Sequence, residues 1–304
     1  MSQKRLDLLK RLALEYQELN GLHIETLNQP SPVEFLRIVR IARPTLIKGF
    51  RTPALDKWDD DYLIKQMGDR PVSVAVTPSG NADAIVIGED GIKYFVEPHI
   101  ECFTMRELLN HLNPSLGGAE VSSEVYYLQS QNGNLYTAQT ECDMSEFDAL
   151  RMDVSREVSW ASEALGISPD AVNLWIGDGR SITSVHSERL YPHARYTREV
   201  AGSRLRLMPS PSLTPAVRWS SVINPLDSAE LPPEAQPLHI ILRPGDTLYL
   251  PAGWWHHVRQ SGVTIALNWW YDMEARGMGW VWLNFLRGES EEIPDGNDGS
   301  VVAL

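Results

Sequence analysis

Cysteine and lysine are both scarce in this sequence, with two and six residues. Its two cysteines, Cys102 and Cys142, cannot form a disulfide framework and lack the spacing of a metal site. A reducing compartment suits such a chain, so we expect it in the cytoplasm or the nucleus. The last lysine is Lys93, so the rest of the chain carries its positive side chains on arginine and histidine.

Long apolar runs and excess positive charge are also missing. No run is long enough to span a bilayer, and charged residues interrupt the N-terminal segment before it reaches the length of a signal peptide. The net charge of −13 opposes binding to nucleic acid by Coulomb repulsion. A basic peptide or protein is the partner that this charge would attract.

The composition is that of a folded protein, with 43% apolar and 22% charged residues in a chain of 304. This length allows one principal domain with additions. Near the start, Leu8, Leu12, Tyr16 and Leu19 recur at helical spacing. They predict an amphipathic helix over residues 4–20 whose apolar stripe packs against the rest of the protein. The Pro32 region predicts the start of a second helix.

From Val72 the apolar residues alternate, which indicates strands. The predicted strands are short, are separated by Gly and Pro turns, and favour an antiparallel sandwich or barrel over alternating βαβ units. They cover residues 38–41, 45–47, 72–76, 125–129, 171–176, 238–242, 247–250, 256–260 and 263–269. A helix is predicted over 105–112, and a helical or irregular connection over 143–150.

The segment from Arg243 to Val258 carries the strongest chemical signal. Its Pro-Gly-Asp turn leads into a strand, a Pro-Ala-Gly turn follows, and two tryptophans precede His256 and His257. This order resembles the second metal-binding motif of the Jumonji-C branch of the cupin oxygenases. The strand-like segment from Val263 to Asp272 is similar to the strand that closes the barrel of that family.

The resemblance extends over residues 30 to 287 and implies an Fe(II)- and 2-oxoglutarate-dependent dioxygenase. It implies that His256 is an iron ligand and that its neighbour His257 points away on a strand. Ser181 to His186 resembles the approach to the first metal motif, so His186 matches a second ligand. Glu188 completes a His-x-Glu pair, whose members would share one face of a strand.

Cosubstrate contacts are implied in the same way at Tyr127, Thr183 and Asn268. The stretches 72–84 and 160–166 resemble the JmjC domain-containing protein 7 group within this family. That likeness implies a hydroxylase acting on lysyl residues of protein substrates.

The sequence departs from the family pattern directly after Ser187. In the family, a hairpin comes after the first metal motif and carries a lysine that pairs with the distal carboxylate of 2-oxoglutarate. In this chain, the segment that begins at Glu188 resembles the segment that follows the hairpin in the family. Nothing that resembles the hairpin lies between Ser187 and Glu188. The sequence therefore predicts an internal deletion after Ser187. Glu188 is then either an iron ligand or the residue at the junction of the deletion. Arg180 and Arg189 are the candidates to replace the lysine.

We therefore expect a mainly β protein with flanking helices, built on a double-stranded β-helix of the cupin, jelly-roll or clavaminate synthase-like type. The expected parts are an N-terminal helical region packed on the barrel (1–70), the JmjC or cupin-like domain (71–272), a C-terminal helix (273–288) and a disordered acidic tail (289–304). A homodimer is one assembly to test. The alternatives are a catalytically inactive cupin-like protein-binding module and a metal-dependent cupin that acts on small molecules.

Overall fold

The structure is a computed structural model of the chain, and its backbone is described for most of the sequence. The described residues are 3–113, 122–129, 135–136, 146–184, 189–191, 193–198, 204–210, 217–220, 222, 224–227, 229–272 and 281–282. The chain divides into two compact units. One comprises residues 1–50, 231–254 and 271–304, and the other comprises residues 51–230 and 255–270.

Six α-helices and one 3₁₀ segment have described bounds, and residues 281–282 are helical as well. They are α1 (Gln3–Asn20), α2 (Pro32–Ile41), α3 (Ala54–Lys57), α4 (Asp60–Met67), α5 (Met105–Leu112), the 3₁₀ segment Asp148–Asp153, and α6 (Ser159–Leu165). Two of them begin at capping boxes, in which Ser31 exchanges hydrogen bonds with Glu34 and Thr104 with Glu107. None of the helices in the described part of the chain is both long and apolar enough to cross a membrane.

Helix α1 confirms the predicted helix but only part of the predicted use of its apolar stripe. Leu8, Leu12, Tyr16 and Leu19 are all exposed, with Leu19 at 85%. The less exposed side of the helix carries Lys10 and Gln17 instead. Tyr16 nevertheless packs edge-on against Trp254, with ring centroids 6.3 Å apart. The expected packing of the stripe is therefore met at Tyr16 and not at Leu19.

The described strands number seventeen. They are β1 (Glu25–Asn28), β2 (Thr45–Lys48), β3 (Pro71–Thr77), β4 (Asn81–Ala82), β5 (Ala84–Ile87), β6 (Lys93–Glu97), β7 (His99–Thr104), β8 (Val125–Gln129), β9 (Ala171–Gly177), β10 (Ile182–Thr183), β11 (Arg189–Tyr191), β12 (His193–Thr197), β13 (Arg206–Pro209), β14 (Val217–Trp219), β15 (Thr247–Tyr249), β16 (Val258–Arg259) and β17 (Thr264–Trp270).

The strands form five sheets among the described residues. The largest has the order β17-β9-β8-β3-β7 and is antiparallel throughout. A three-stranded sheet has the order β16-β10-β4, and another joins β1, β2 and β15. The remaining two are β13-β12-β6-β5 and the pair β11-β14.

The largest sheet has one apolar face, which forms the core of its unit. Successive residues of a strand point to opposite faces. Val72, Val74 and Val76 of β3 therefore share a face with Leu174 and Ile176 of β9, and all five are buried in one hydrophobic cluster. Helices α4 and α5 contribute to the same cluster through buried residues, namely Leu63, Met67, Met105, Leu108, Leu109 and Leu112. The opposite face of this sheet carries Tyr127, which does not belong to this cluster.

Two predicted strands are wrong. Residues 38–41 lie in helix α2, and residues 238–242 are not in a regular element. Residues 143–145 and most of the predicted C-terminal helix and tail lie outside the described residues. The expected division into four parts stays a prediction.

Candidate functional site

The candidate site lies on the face of the large sheet that is turned away from the core. Tyr127 of β8 is paired with Ala75 of β3 and with Gly177 of β9. Tyr127 is buried with Ala75 and Ala82, and Trp175 packs against them. The rings of Tyr127 and Trp175 have centroids 5.7 Å apart. Tyr127 and Trp175 therefore form an aromatic wall on this face.

The small sheet β16-β10-β4 brings a hydroxyl to this wall. Thr183 of β10 places its Oγ1 atom 3.3 Å from the hydroxyl oxygen of Tyr127. Burial raises the pKa of the Tyr127 phenol, and hydrogen bonds from Thr183 and Gln260 oppose that rise. Tyr127 is therefore neutral near pH 7 and retains a proton that it can donate.

Glycine at position 80 allows the small sheet to form. Its φ of +87° lies in the left-handed region, and a Cβ atom there would come within 1.8 Å of the carbonyl oxygen of Arg180. The close approach lets Ile182 donate its backbone N–H to the Gly80 carbonyl oxygen at 2.9 Å. Strand β10, and with it Thr183, is thereby held beside β4.

Two amides near this face have unmet hydrogen-bonding capacity. Asn268 of β17 lies opposite the buried residue Asn173 of β9. The Oδ1 atom of Asn268 and the Oε1 atom of Gln260 are buried and have no hydrogen-bond partner in the described part of the protein. Gln260 Oε1 lies against Gly177, where a Cβ atom would be 2.8 Å away. Buried amide oxygens without partners are costly, so a group that donates hydrogen bonds would satisfy them as they stand.

His256 and His257 precede strand β16 directly. Val258 is paired with Thr183, so His256 lies two residues from the partner of a predicted cosubstrate contact. His256 is exposed, whereas His257 is half-buried, and burial together with the charge of Arg259 lowers the pKa of His257. His186 and Glu188 lie outside the described residues, which contain no group of three potential metal-binding side chains. The proposed ligand set stays a prediction.

The structure also bears on the replacement of the missing lysine. The Arg180 guanidinium donates to the Asp178 carboxylate at 2.7 Å and to the Ser122 carbonyl at 2.8 Å. Arg180 is therefore held by partners of its own, and the predicted substitution is not supported there. The side chain of Arg189 lies outside the described residues.

Trp175 and Gln260 were not predicted as site residues. A signal for Trp175 was present, since Asn173 and Trp175 alternate with Val172, Leu174 and Ile176 along one strand. A polar and a large aromatic residue on the second face of a buried strand indicate that this face meets something other than the core. Gln260 gave no such signal, because it comes directly after a short strand in a polar stretch.

Comparison with known proteins identifies the class. Residues 30–277 match the model of the cupin-like domain, and the chain belongs to this family. The predicted double-stranded β-helix fold is thereby confirmed.

The relatives are JmjC proteins. The chain is 32% identical to the lysine-specific demethylase JMJ32 of Arabidopsis thaliana, over 92% of this chain and 90% of that protein. It is 36% identical to the human bifunctional peptidase and (3S)-lysyl hydroxylase JMJD7, over 81% and 82%. JmjC domain-containing protein E of Dictyostelium discoideum is 27% identical over 92% and 93%. The chain thus belongs to a JmjC group related to JMJD7, whose members are Fe(II)- and 2-oxoglutarate-dependent oxygenases.

The alignment with JMJ32 also bears on the predicted deletion. It spans 330 positions, more than the 304 residues of this chain. The relative therefore has residues that this chain lacks. Their place in the sequence is not fixed by this length, so a deletion after Ser187 stays a prediction.

Proposed function

We propose that this protein is an Fe(II)- and 2-oxoglutarate-dependent hydroxylase that acts on lysyl residues of a protein substrate. The observation that carries the proposal is the meeting of the Tyr127 and Thr183 hydroxyls, 3.3 Å apart, next to the strand that His256 precedes. The similarity to the human lysyl hydroxylase supports the substrate class. The net charge of −13 supports a basic peptide partner.

The residues present suit the cosubstrate on chemical grounds. A 2-oxo acid offers carboxylate oxygens, and the hydroxyls of Tyr127 and Thr183 can donate hydrogen bonds to them. The Asn268 amide can donate as well, because a half turn about its last torsion exchanges its oxygen and nitrogen. In the proposal, His186, His256 and Glu188 hold the iron.

The bound iron and 2-oxoglutarate would supply the oxidising power to insert one oxygen atom of O₂ into a C–H bond, with succinate and CO₂ as coproducts. The protein would contribute binding and orientation. Tyr127 stays protonated because burial raises the pKa of its phenol, so it can donate to an anion at neutral pH. Trp175 and Ala75 close the wall behind it and exclude water from that side.

Binding of the cosubstrate tests the proposal without requiring turnover. We expect Tyr127→Phe to weaken binding of 2-oxoglutarate to the Mn(II)-loaded protein roughly tenfold, because one hydrogen bond to a charged group is lost. Tyr126→Phe is the matched control, since Tyr126 is the preceding residue of the same strand and stacks on His111 on the opposite face. Calorimetry measures both affinities. Equal affinities for the two variants and the unmodified protein would contradict the proposed site.

A catalytically inactive binding module is the second candidate. It is favoured by the absence of lysine after Lys93 and by the engagement of Arg180 with Asp178. An unpaired distal carboxylate would bind weakly in a buried site. Succinate formation in the presence of a lysine-containing peptide separates the candidates, because the hydroxylase releases succinate at a slow but measurable rate and the binding module releases none.

A further inference from the structure

Gln260 approaches the Tyr127 phenol from the small sheet β16-β10-β4. Val258 of β16 is paired with Thr183 of β10, so their side chains lie on the same side of this sheet. Gln260 follows Val258 by two residues and, in an extended chain, returns to that side. Diagonal neighbours on paired strands are close enough for a long side chain to reach across. Gln260 and Thr183 can therefore reach the same group of the facing sheet.

The phenol oxygen of Tyr127 has contacts with both of these side chains. Thr183 Oγ1 lies 3.3 Å from this oxygen, and the Gln260 side chain also forms a hydrogen bond with it. Burial raises the pKa of the Tyr127 phenol, and both hydrogen bonds oppose that rise because they favour the ionised form. A buried hydroxyl group is thus held between two polar side chains of one sheet.

Gly177 defines which end of the Gln260 amide faces the phenol. Gly177 is paired with Tyr127, and a Cβ atom at this position would lie 2.8 Å from Gln260 Oε1. The glycine therefore leaves room for the amide oxygen. Oε1 is buried and has no hydrogen-bond partner within the described residues. The end that bonds to the phenol is thus the amide nitrogen, Nε2, which can only donate.

The contact with Gln260 limits where the phenol directs its proton. Because Nε2 donates, the phenol accepts from Gln260, and its one proton is left for Thr183 or for a ligand. The Thr183 hydroxyl can donate or accept, so its proton can rotate towards the phenol when an anion binds. The phenol of Tyr127 then accepts from both neighbours and donates to the anion. Hydrogen bonds in such a chain strengthen one another.

We propose that Gln260 is a positioning residue for cosubstrate binding, which directs the Tyr127 proton towards a carboxylate oxygen of 2-oxoglutarate. The inference rests on the proposed function, because that function places the anion at Tyr127. Gln260 acts on the anion only through the phenol. Its contribution therefore requires the hydroxyl group of Tyr127, whereas a residue that only fills space between the sheets would not depend on that group.

A double-mutant cycle tests whether Gln260 acts through Tyr127. Gln260→Met conserves the length of the side chain and removes the donor. It should weaken binding of 2-oxoglutarate to the Mn(II)-loaded protein about three- to tenfold, the effect of one hydrogen bond. In Tyr127→Phe, which has no hydroxyl to position, the same change should alter the affinity less than about twofold. An equal loss in both backgrounds would overturn the proposal.

Gln129→Met is the matched control. Gln129 lies on the same side of β8 as Tyr127, but its amide donates to Asp83 Oδ2 at 3.1 Å. Its replacement should have the same effect on affinity with and without the Tyr127 hydroxyl. Circular dichroism melting confirms that all variants fold.

Gln260→Glu is the opposite change, because a carboxylate accepts the phenol proton and adds a negative charge. It should weaken binding of 2-oxoglutarate more than Gln260→Met does. Unchanged affinity in Gln260→Glu would contradict the proposed direction of the Tyr127 proton.

The ionisation of Tyr127 gives a readout that needs neither metal nor cosubstrate. Difluorotyrosine placed at position 127 ionises at lower pH than tyrosine, and fluorine NMR follows it alone among the ten tyrosine positions. Gln260→Met should raise the pKa of this phenol because the phenolate loses a donor, and Gln129→Met should leave that pKa unchanged. An unchanged pKa in Gln260→Met would overturn the proposal, whether or not 2-oxoglutarate binds.

The two readouts separate this inference from the proposed function. If Tyr127→Phe leaves the affinity for 2-oxoglutarate unchanged while Gln260→Met still shifts the titration, the cosubstrate site is wrong and the role of Gln260 falls with it. If Tyr127→Phe weakens binding but Gln260→Met shows no coupling to it, the cosubstrate site stands and only the role of Gln260 is wrong.

Discussion

At the scale of residues, the two adjacent histidines have different surroundings. His256 is exposed beside the strand that pairs with Thr183, and His257 is half-buried with a lowered pKa. A histidine that binds a metal must present a ring nitrogen to an open site, whereas a histidine on the other side of the chain packs against other residues. The assignment of the ligand role to His256 stays a prediction.

We predict that His256→Ala weakens Mn(II) binding at least about 100-fold, because loss of an outer-shell partner alone typically costs 10- to 100-fold. His257→Ala should change the affinity less than about tenfold. Metal titration followed by calorimetry measures both. If the two effects were reversed, His257 would be the ligand.

Some of the site could be predicted at this scale and some could not. Tyr127 and Thr183 were selected by resemblance from distant parts of the sequence, and the structure brings their hydroxyls together. Gln260 could not be found, because its approach to Gly177 depends on how two sheets face each other. Side-chain alternation within one strand carries no information about the opposite sheet.

At the scale of elements, a buried aspartate joins two helices to the 3₁₀ segment. The Asp153 carboxylate accepts hydrogen bonds from Lys57 Nζ at 2.6 Å, Tyr62 Oη at 2.6 Å and Trp58 Nε1 at 3.2 Å. Burial alone would raise the pKa of Asp153, but these donors outweigh it and hold the pKa below its ordinary value. One side chain thus ties α3 and α4 to the end of the 3₁₀ segment.

We predict that Asp153→Asn lowers the free energy of unfolding by about 2–3 kcal/mol, because hydrogen bonds to a buried charged group are lost or weakened. Chemical denaturation measures this change. Asp148→Asn is the control, since Asp148 starts the same segment and forms a partly exposed pair with Arg151. It should change the stability by less than about 1 kcal/mol.

The same group sets a pH dependence. Because the folded pKa of Asp153 lies below its unfolded value, its contribution is complete above the unfolded pKa of about 4. It is lost as the pH falls through the lower, folded pKa. The unmodified protein should therefore lose stability more steeply below about pH 4 than Asp153→Asn does. Parallel pH profiles would contradict the role given to this carboxylate.

Helix α2 and helix α1 show why some elements were predicted only in part. Residues 38–41 are mostly β-branched and apolar, which favours a strand, yet the capping box at Ser31 and Glu34 starts a helix that continues through them. In α1 the helical spacing of the apolar residues correctly predicted a helix, but such spacing shows only that the helix has an apolar side. It does not show what covers that side.

At the scale of the whole molecule, the predicted loss of a hairpin after Ser187 is expected to control activity. We predict that the chain forms succinate very slowly, since loss of a buried charge partner costs roughly 3–5 kcal/mol, or about two to three and a half orders of magnitude in binding. Insertion of a family-type hairpin with its lysine after Ser187 should restore turnover. A matched insertion with methionine in place of that lysine is the control. Fast turnover by the unmodified chain would refute the prediction.

The acidic C-terminal segment is expected to be dispensable. Residues 289–304 are rich in Asp, Glu and Gly, a composition that cannot bury a core, and they lie outside the described residues. Truncation before Glu289 should leave the melting temperature unchanged within about 1–2 °C. Differential scanning calorimetry measures it. A large decrease would show that this segment packs.

The sheet of β1, β2 and β15 joins strands that are far apart in the sequence, and this matters while the protein is synthesised on the ribosome. Thr45 in β2 pairs with Tyr249 in β15, about 200 residues later. At synthesis rates of roughly 5–20 residues per second, the first strands emerge about 10–40 s before their third partner exists. During that interval the nascent β2 edge is open to pairing with other chains. We therefore expect chaperones that hold extended segments to engage this N-terminal region until synthesis is nearly complete.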